Sequence, residues 1–257
     1  MKAVILAGGL GTRLSEETHL RPKPMVEIGG KPILWHIMKI FEFHGITDFI
    51  ICCGYKGFYI KDYFNNYHLR NTDVTFNMAD QSSNLLTPPK ENWSVTCVDT
   101  GDETLTGGRL KLIKDFLDPD EPFLMTYGDG VGNVDISGLI DFHNSHGKLA
   151  TMTVVNPPIR YRVVTMNSKN EITKFNEKPE ISNTWINGGF FVLDSSVIDY
   201  ILGDVMWEQE PLQAITSANE LAAFQHGDFW QSMDTISEKK HLEDLYNSNT
   251  APWKVWD

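Results

Sequence analysis

With 257 residues, of which 41% are hydrophobic and 22% charged, the chain is long enough for one large α/β domain, and no apolar run approaches the length needed to cross a bilayer. Its 34 acidic residues outweigh 22 basic ones for a formal net charge of −12, which argues against broad nucleic-acid binding but leaves small anions open wherever a local pocket reverses the field. The three cysteines, Cys52, Cys53 and Cys97, lack the spacing of a disulfide framework or a zinc site, and glycines interrupt the N-terminal apolar residues before they reach signal-peptide length, so reduced thiols and a cytoplasmic location are expected.

Ala3 through Ala7 form a short apolar run, read as a buried strand, that breaks into Gly8-Gly9-Leu10-Gly11-Thr12-Arg13-Leu14. Glycine lets the backbone approach a ligand and adopt positive φ, so successive amides can converge on one anion, with phosphate the obvious candidate. Positive charge gathers here, because residues 1–31 hold five basic against three acidic side chains. Pro22 and Pro24 then stiffen the backbone around Lys23. Gly29-Gly30-Lys31-Pro32 opens a helix with Ile33, Ile37, Ile40 and Phe41 on one face, which Gly45 stops. Phe49 to Cys53 is the next buried strand, and strand, helix, strand in that order implies a parallel crossover.

A second helix is expected from Phe58 to Tyr67 and a strand at Val74-Thr75-Phe76. Asp80 to Asn92 is polar and proline-bearing, and reads as a loop or an oligomer contact. A strand from Trp93 to Val98 leads through a glycine-rich exit, Asp99 to Arg109, into a helix from Leu110 to Leu117. Phe123 to Tyr127 is a compact strand ending in Gly128-Asp129-Gly130, which sets Asp129 at the carboxyl end of a strand, where open α/β sheets place their ligands. Asp135 caps a helix through His146, Leu149 to Val155 is a strand, and Val163-Val164-Thr165 with Ile172 to Phe175 forms a hairpin. Beyond it come Glu177-Lys178-Pro179, a glycine-kinked strand from Ile186 to Leu193, helices near Ser196 to Ile201 and Pro211 to Ser217, and a late strand from Leu221 to Phe224. Phe229-Trp230-Gln231-Ser232-Met233-Asp234-Thr235 then leads into a charged helix, Glu238 to Tyr246, on which Lys239 and Lys240 read as solvated. The tail with Trp253 and Trp256 is aromatic enough to dock on the body or on a neighbour.

A P-loop needs Lys-Ser or Lys-Thr after its last glycine, and none follows Gly11. A dinucleotide fingerprint wants glycine where Leu14 stands and an acid at the end of the second strand, and neither is present. What remains is a glycine loop carrying an arginine, Gly8 to Leu14, followed by Arg21-Pro22-Lys23-Pro24 and Gly30-Lys31-Pro32. This spaced pattern resembles the sugar-phosphate nucleotidyltransferases. The resemblance continues through Gly128-Asp129-Gly130, Glu177-Lys178-Pro179, Asn187-Gly188-Gly189-Phe190 and Phe229 to Thr235. Gly227-Asp228 stands where the family has Asp-Gly, and Ser232 where it has proline.

The resemblance implies a three-layer α/β/α sandwich with a mixed, mostly parallel sheet and a small β-rich sugar-binding part. It implies one nucleotidyltransferase domain over residues 1–257, with nucleotide binding in about 1–130 and sugar-phosphate binding and oligomerisation in about 131–257. It implies substrate contacts from Leu6, Ala7, Gly8, Gly9, Leu10, Gly11, Thr12, Arg13, Lys23, Thr104, Arg109, Gly128, Glu177, Lys178, Asn187 and Gly188. Arg13, Lys23 and Asp129 would be catalytic, and Asp129 and Asp234 would bind Mg²⁺, a hard cation suited to carboxylates and phosphates. Alternatives stay open for several of these. Asp234 alone reads as a helix cap, Arg109 as half of a surface pair, and Glu177 with Lys178 as a hairpin-edge ion pair. The segments Val98 to Arg109 and Thr126 to Val131 are most similar to the branch that uses CTP and α-D-glucose 1-phosphate, for deoxysugar and surface-polysaccharide synthesis. UTP or dTTP, or a nucleotide-binding regulatory subunit without chemistry, are the other readings. The resemblance also implies a homo-oligomer, a hexamer being one arrangement.

Overall fold

The computed structural model describes residues 1–88, 90–156, 163–168, 170–176 and 184–256. Among the described residues, seven strands make the main sheet. They are β1 (Ala3–Leu6), β2 (Asp48–Cys53), β3 (Ser94–Asp99), β4 (Phe123–Tyr127), β6 (Ala150–Val155), β7 (Ile186–Leu193) and β8 (Leu221–His226), in the order β8-β6-β7-β4-β1-β2-β3. Strand β7 runs antiparallel to its neighbours β6 and β4, and the remaining pairings are parallel. Two short strands outside this sheet, β5 (Gly130–Gly132) and β9 (Trp230–Ser232), pair with each other antiparallel.

The layers follow from the period of two along β1. Ala3 and Ile5 enter a core that includes Ile33, Ile37, Ile40 and Phe41 of helix α1 (Ile33–Phe43), whereas Val4 and Leu6 enter an opposite core with Leu110, Trp207 and Ile215. The sheet is thus buried on both faces, which is why its strands read as near-continuous apolar runs. Helices α2 (Phe58–Asn65), α3 (Thr106–Leu112), α4 (Ile136–His146), α5 (Glu210–Ser217) and α6 (Ile236–Asn247) complete the layers. Asp135 caps α4 by accepting from the Gly138 amide at 3.0 Å, as expected.

Three expectations are corrected. Helix α3 begins at Thr106, not Leu110, because Gly107 and Gly108 lie inside it, where a Cβ on Gly108 would come within 2.1 Å of Asp204. Close approach of the chain around Asp204 outweighs the low helix propensity of glycine. The polar stretch after Asp80 contains a strand, Ser82–Leu85, that pairs antiparallel with Val74–Asn77 across a turn with Gln81 at φ 58°. Lys239 is not a solvated side chain but pairs with Glu17, tying α6 to the turn that follows Arg13.

The hairpin of Val163–Met166 and Ile172–Asn176 is present as expected. The tryptophan tail docks on the body, where Trp253 is fully buried and stacks on Phe229 at 5.6 Å, and its Nε1 donates to Nδ1 of the buried His36.

Candidate active site

The carboxyl ends of β1, β3 and β4 open onto a cavity of about 670 Å³. Its wall takes in Leu6, Ala7, Gly8, Gly9, Leu10, Gly11 and Thr12 from the first turn, together with Lys23, Thr104, Arg109, Gly128 and Asp129. The turn leaves the sheet because Gly11 adopts φ 63°, opening a short 3₁₀ turn over Thr12–Leu14 that the fully buried Leu14 pins to the core. Among the described residues no acceptor is found for the backbone amides of residues 8–11, so four successive donors remain available at the cavity.

Lys23 sits in a 3₁₀ turn started by Pro22, only 6% exposed. Its ammonium donates to Asp129 Oδ2 and to Asp234 Oδ1, each at 2.6 Å, so those two oxygens lie no farther apart than twice that distance. Two residues separated by about a hundred positions meet because β5 and β9 pair directly beside them. Gly130 is opposite Ser232, and the Met233 amide donates to the Asp129 carbonyl at 2.8 Å. Ser232 and Gly227-Asp228, which depart from the family pattern, fit this ladder. Asp228 accepts from Asn133 Nδ2 at 2.8 Å.

Asp234 is not the helix cap. Thr235 caps α6 in a reciprocal box with Glu238, whose carboxylate accepts from the Thr235 and Asp234 amides at 2.9 Å each. The Asp234 side chain is thereby left to Lys23 and to Arg13, whose guanidinium lies 2.9 Å from Oδ1. Burial acts to raise the Asp234 pKa, but the Lys23 hydrogen bond and charge, with the Arg13 charge, outweigh it and hold the carboxyl below its ordinary value. Two cations and two carboxylates make a locally neutral cluster. Arg13, with a side chain 73% exposed, can leave it with little effect on stability.

Arg109 is 3% exposed, which rules out the surface pair. Its Nη2 donates to Gly8 O at 2.9 Å and Asp102 O at 3.3 Å. Nη1 donates to Thr100 Oγ1 at 2.7 Å, Gly101 O at 2.8 Å and Cys53 O at 3.3 Å. The guanidinium therefore clips together the exits of β1, β2 and β3. Gly8 is glycine because a Cβ there would lie 2.0 Å from Nη1 of Arg109.

Asn187 and Gly188 stand just outside the cavity wall. Asn187 Nδ2 donates to the Tyr127 hydroxyl at 3.4 Å, and Gly188 O accepts from Trp230 Nε1 at 2.7 Å. Glu177 and Lys178 lie outside the described residues. Sequence reasoning missed Tyr127, Thr106 and Met206 on the wall. Tyr127 had a signal, being the last residue before Gly128-Asp129-Gly130, whereas Met206 belongs to no motif.

Asp129 and Asp234 are the side chains that could hold a metal ion. Among the described residues no group of three or more His, Cys, Asp or Glu side chains collects. Two hard oxygens suit Mg²⁺, which takes most of its ligands from substrate phosphates and water.

A family model described as nucleotidyl transferase matches residues 2–238. Proteins named glucose-1-phosphate cytidylyltransferase from Salmonella typhimurium and Salmonella typhi are each 57% identical to this chain over 258 aligned positions, covering 100% of both sequences. Among solved structures, HddC from Yersinia pseudotuberculosis has a TM-score of 0.68 at 23% identity, covering 95% of this chain and 99% of that one, which is a likeness of fold.

Proposed function

The chain belongs to the nucleotidyl transferase family, and from that premise we propose that it transfers the cytidylyl group of CTP to α-D-glucose 1-phosphate, giving CDP-glucose and pyrophosphate. The observation that carries the choice of base and sugar is the full-length likeness to the two Salmonella cytidylyltransferases. The cavity supports the chemistry, since it sets free backbone donors beside a neutral cluster of Arg13, Lys23, Asp129 and Asp234.

A phosphate oxygen of the sugar phosphate attacks the α-phosphorus of CTP. The bond from that phosphorus to the oxygen bridging toward the β-phosphate breaks, and pyrophosphate leaves with the electron pair. The nucleophile is already ionised, so no general base is required. The amides of Gly8, Gly9, Leu10 and Gly11 donate to the triphosphate, Arg13 turns from Asp234 to the departing pyrophosphate, and Lys23 offsets charge at the reacting phosphates. Asp129 and Asp234 would hold Mg²⁺, which when bound supplies Lewis-acid neutralisation of phosphate charge. Thr104 stands on the nucleotide side of the wall, while Asn187, Gly188, Glu177 and Lys178 serve the sugar phosphate. Arg109 acts on the nucleotide by shaping the loops around it.

No helix among the described residues is long and apolar enough to cross a membrane, which is compatible with a cytoplasmic enzyme. A homo-oligomer is supported by the apolar side chains that the hairpin of Val74–Asn77 and Ser82–Leu85 leaves exposed, Phe76 at 58% and Met78 at 86%, while the hexamer rests on the family resemblance alone. Supply of CDP-glucose to deoxysugar and surface-polysaccharide synthesis follows from the family resemblance.

The test is a pyrophosphate-release matrix of CTP, UTP, dTTP, ATP and GTP against several sugar 1-phosphates, with and without Mg²⁺. CTP with glucose 1-phosphate should be the best pair and should depend on the metal. A different best pair overturns the specificity, and calorimetric CTP binding without turnover would favour a regulatory subunit.

A further inference from the structure

Behind the cavity wall lies a chain of hydrogen bonds with a fixed direction. Asn187 Oδ1 accepts from the Gly189 amide at 2.8 Å, so the side-chain amide is oriented and its Nδ2 donates to the Tyr127 hydroxyl at 3.4 Å. Tyr127 gives its own proton to one carboxylate oxygen of Glu208. The other oxygen of Glu208 accepts from Thr106 Oγ1 at 2.8 Å, and that hydroxyl oxygen accepts from the Trp207 amide at 2.8 Å. Tyr127 and Thr106 line the cavity, whereas Glu208 does not. A carboxylate only accepts, so a chain that ends on one cannot reverse. Burial, and then the Glu208 charge, push the Tyr127 phenol up, which keeps it a neutral donor.

We propose that Glu208 is a positioning residue that fixes the hydrogen-bond polarity of the cavity wall. By taking the Tyr127 proton it makes that hydroxyl an acceptor toward Asn187, which leaves the second Asn187 N–H as an oriented donor for a ligand hydroxyl. The ligand class this suits is a polyhydroxylated one, the sugar of the sugar phosphate, and to that extent the inference rests on the function proposed above. Without Glu208 the Tyr127 hydroxyl can turn its proton toward Asn187, and donor then meets donor.

The experiment is a double-mutant cycle of Tyr127→Phe and Glu208→Ala, read as KM for glucose 1-phosphate, KM for CTP and kcat, with thermal midpoints recorded for all four proteins. Each single substitution should raise KM for the sugar phosphate about fivefold, the scale of one hydrogen bond. Tyr127→Phe should leave KM for CTP within about twofold, and the double variant should match Glu208→Ala within about twofold. Single effects that multiply in the double variant, or a Tyr127→Phe enzyme with unchanged sugar-phosphate KM, would overturn the proposal. If Glu208→Ala fails to fold, Glu208→Gln is read in its place, because its amide keeps the shape but adds N–H donors and should still raise KM for the sugar phosphate. The wild-type substrate matrix is measured first. If another sugar 1-phosphate is the better acceptor, the specificity reading fails alone and the cycle is run with that sugar, so the two claims fail separately.

Discussion

Arg109 and Lys23 are both buried cations on the wall of one cavity, and the structure surrounds them in opposite ways. Arg109 meets backbone carbonyls and a threonine hydroxyl, whereas Lys23 meets the carboxylates of Asp129 and Asp234. Carbonyl dipoles belong to the backbone, so a guanidinium held by them fixes loops in place, and its planar fork reaches several oxygens at once. Carboxylates carry full charge and can exchange one cation for another, so the Lys23 cluster is the part that can change partners when phosphate arrives. Burial works against the Arg109 charge and lowers its pKa, which fits a side chain held by dipoles with no carboxylate hydrogen-bonded to it among the described residues. In the function proposed above, one cation builds the site and the other takes part in its chemistry.

Breaking the clip should have the largest effect on stability. Arg109→Met leaves the Gly8 and Gly101 carbonyls without this donor and loosens three strand exits, and urea unfolding should show a loss of about 3 kcal/mol. Arg109→Lys should recover less than half, because an ammonium cannot span oxygens on three strands. A loss below about 1 kcal/mol would mean that the loops hold themselves.

The glycines sharpen the same point. Gly8→Ala sets a methyl 2.0 Å from Arg109 Nη1, while a Cβ at Gly9 meets nothing within 4 Å. Gly8→Ala should cost about 2 kcal/mol and Gly9→Ala less than about 0.5 kcal/mol in the same unfolding assay. Equal losses would show that Arg109 gives way and that space at Gly8 is not limiting.

The smallest effect separates the two cations by pH. The folded Asp234 carboxyl titrates below its unfolded value, so its contribution is complete above the ordinary carboxylate range and is lost as pH falls below about 4. Between pH 6.5 and about 4 the loss comes instead from histidines, the buried His36 foremost, with His44, His143 and His146 shifted in the same direction. Burial lowers the His36 pKa from 6.5 to about 4, so the unfolded imidazole takes a proton that the folded one refuses. Unfolding between pH 7.5 and 3.5 should show the upper fall equally in wild type and Asp234→Asn, and a steeper fall below about pH 4 in the wild type alone. Identical curves would detach Asp234 from Lys23.

Much of the frame was legible in sequence because it is local. Buried strands announce themselves as apolar runs, and the face of α1 appears at helical spacing through Ile33, Ile37, Ile40 and Phe41. Lys23 and the glycine turn stood out by composition. The convergence of Asp129 with Asp234 was not legible physically, since it depends on a three-residue ladder between β5 and β9 that joins distant segments and has no periodicity to detect. The family resemblance anticipated it. The start of α3 was misread because Gly107 and Gly108 look like a loop until Asp204 is seen against them. Glu208 was invisible for the same reason, its two hydroxyl partners being supplied by Thr106 and Tyr127 from elsewhere in the chain.

The most direct measurement is pyrophosphate release by Asp129→Asn with CTP, glucose 1-phosphate and saturating Mg²⁺. Turnover at least about a hundredfold below wild type, in a protein that keeps its unfolding midpoint within a few degrees, is the predicted result for loss of one charged element at the reacting phosphates. Turnover close to wild type would contradict the placement of the chemistry at Lys23, Asp129 and Asp234.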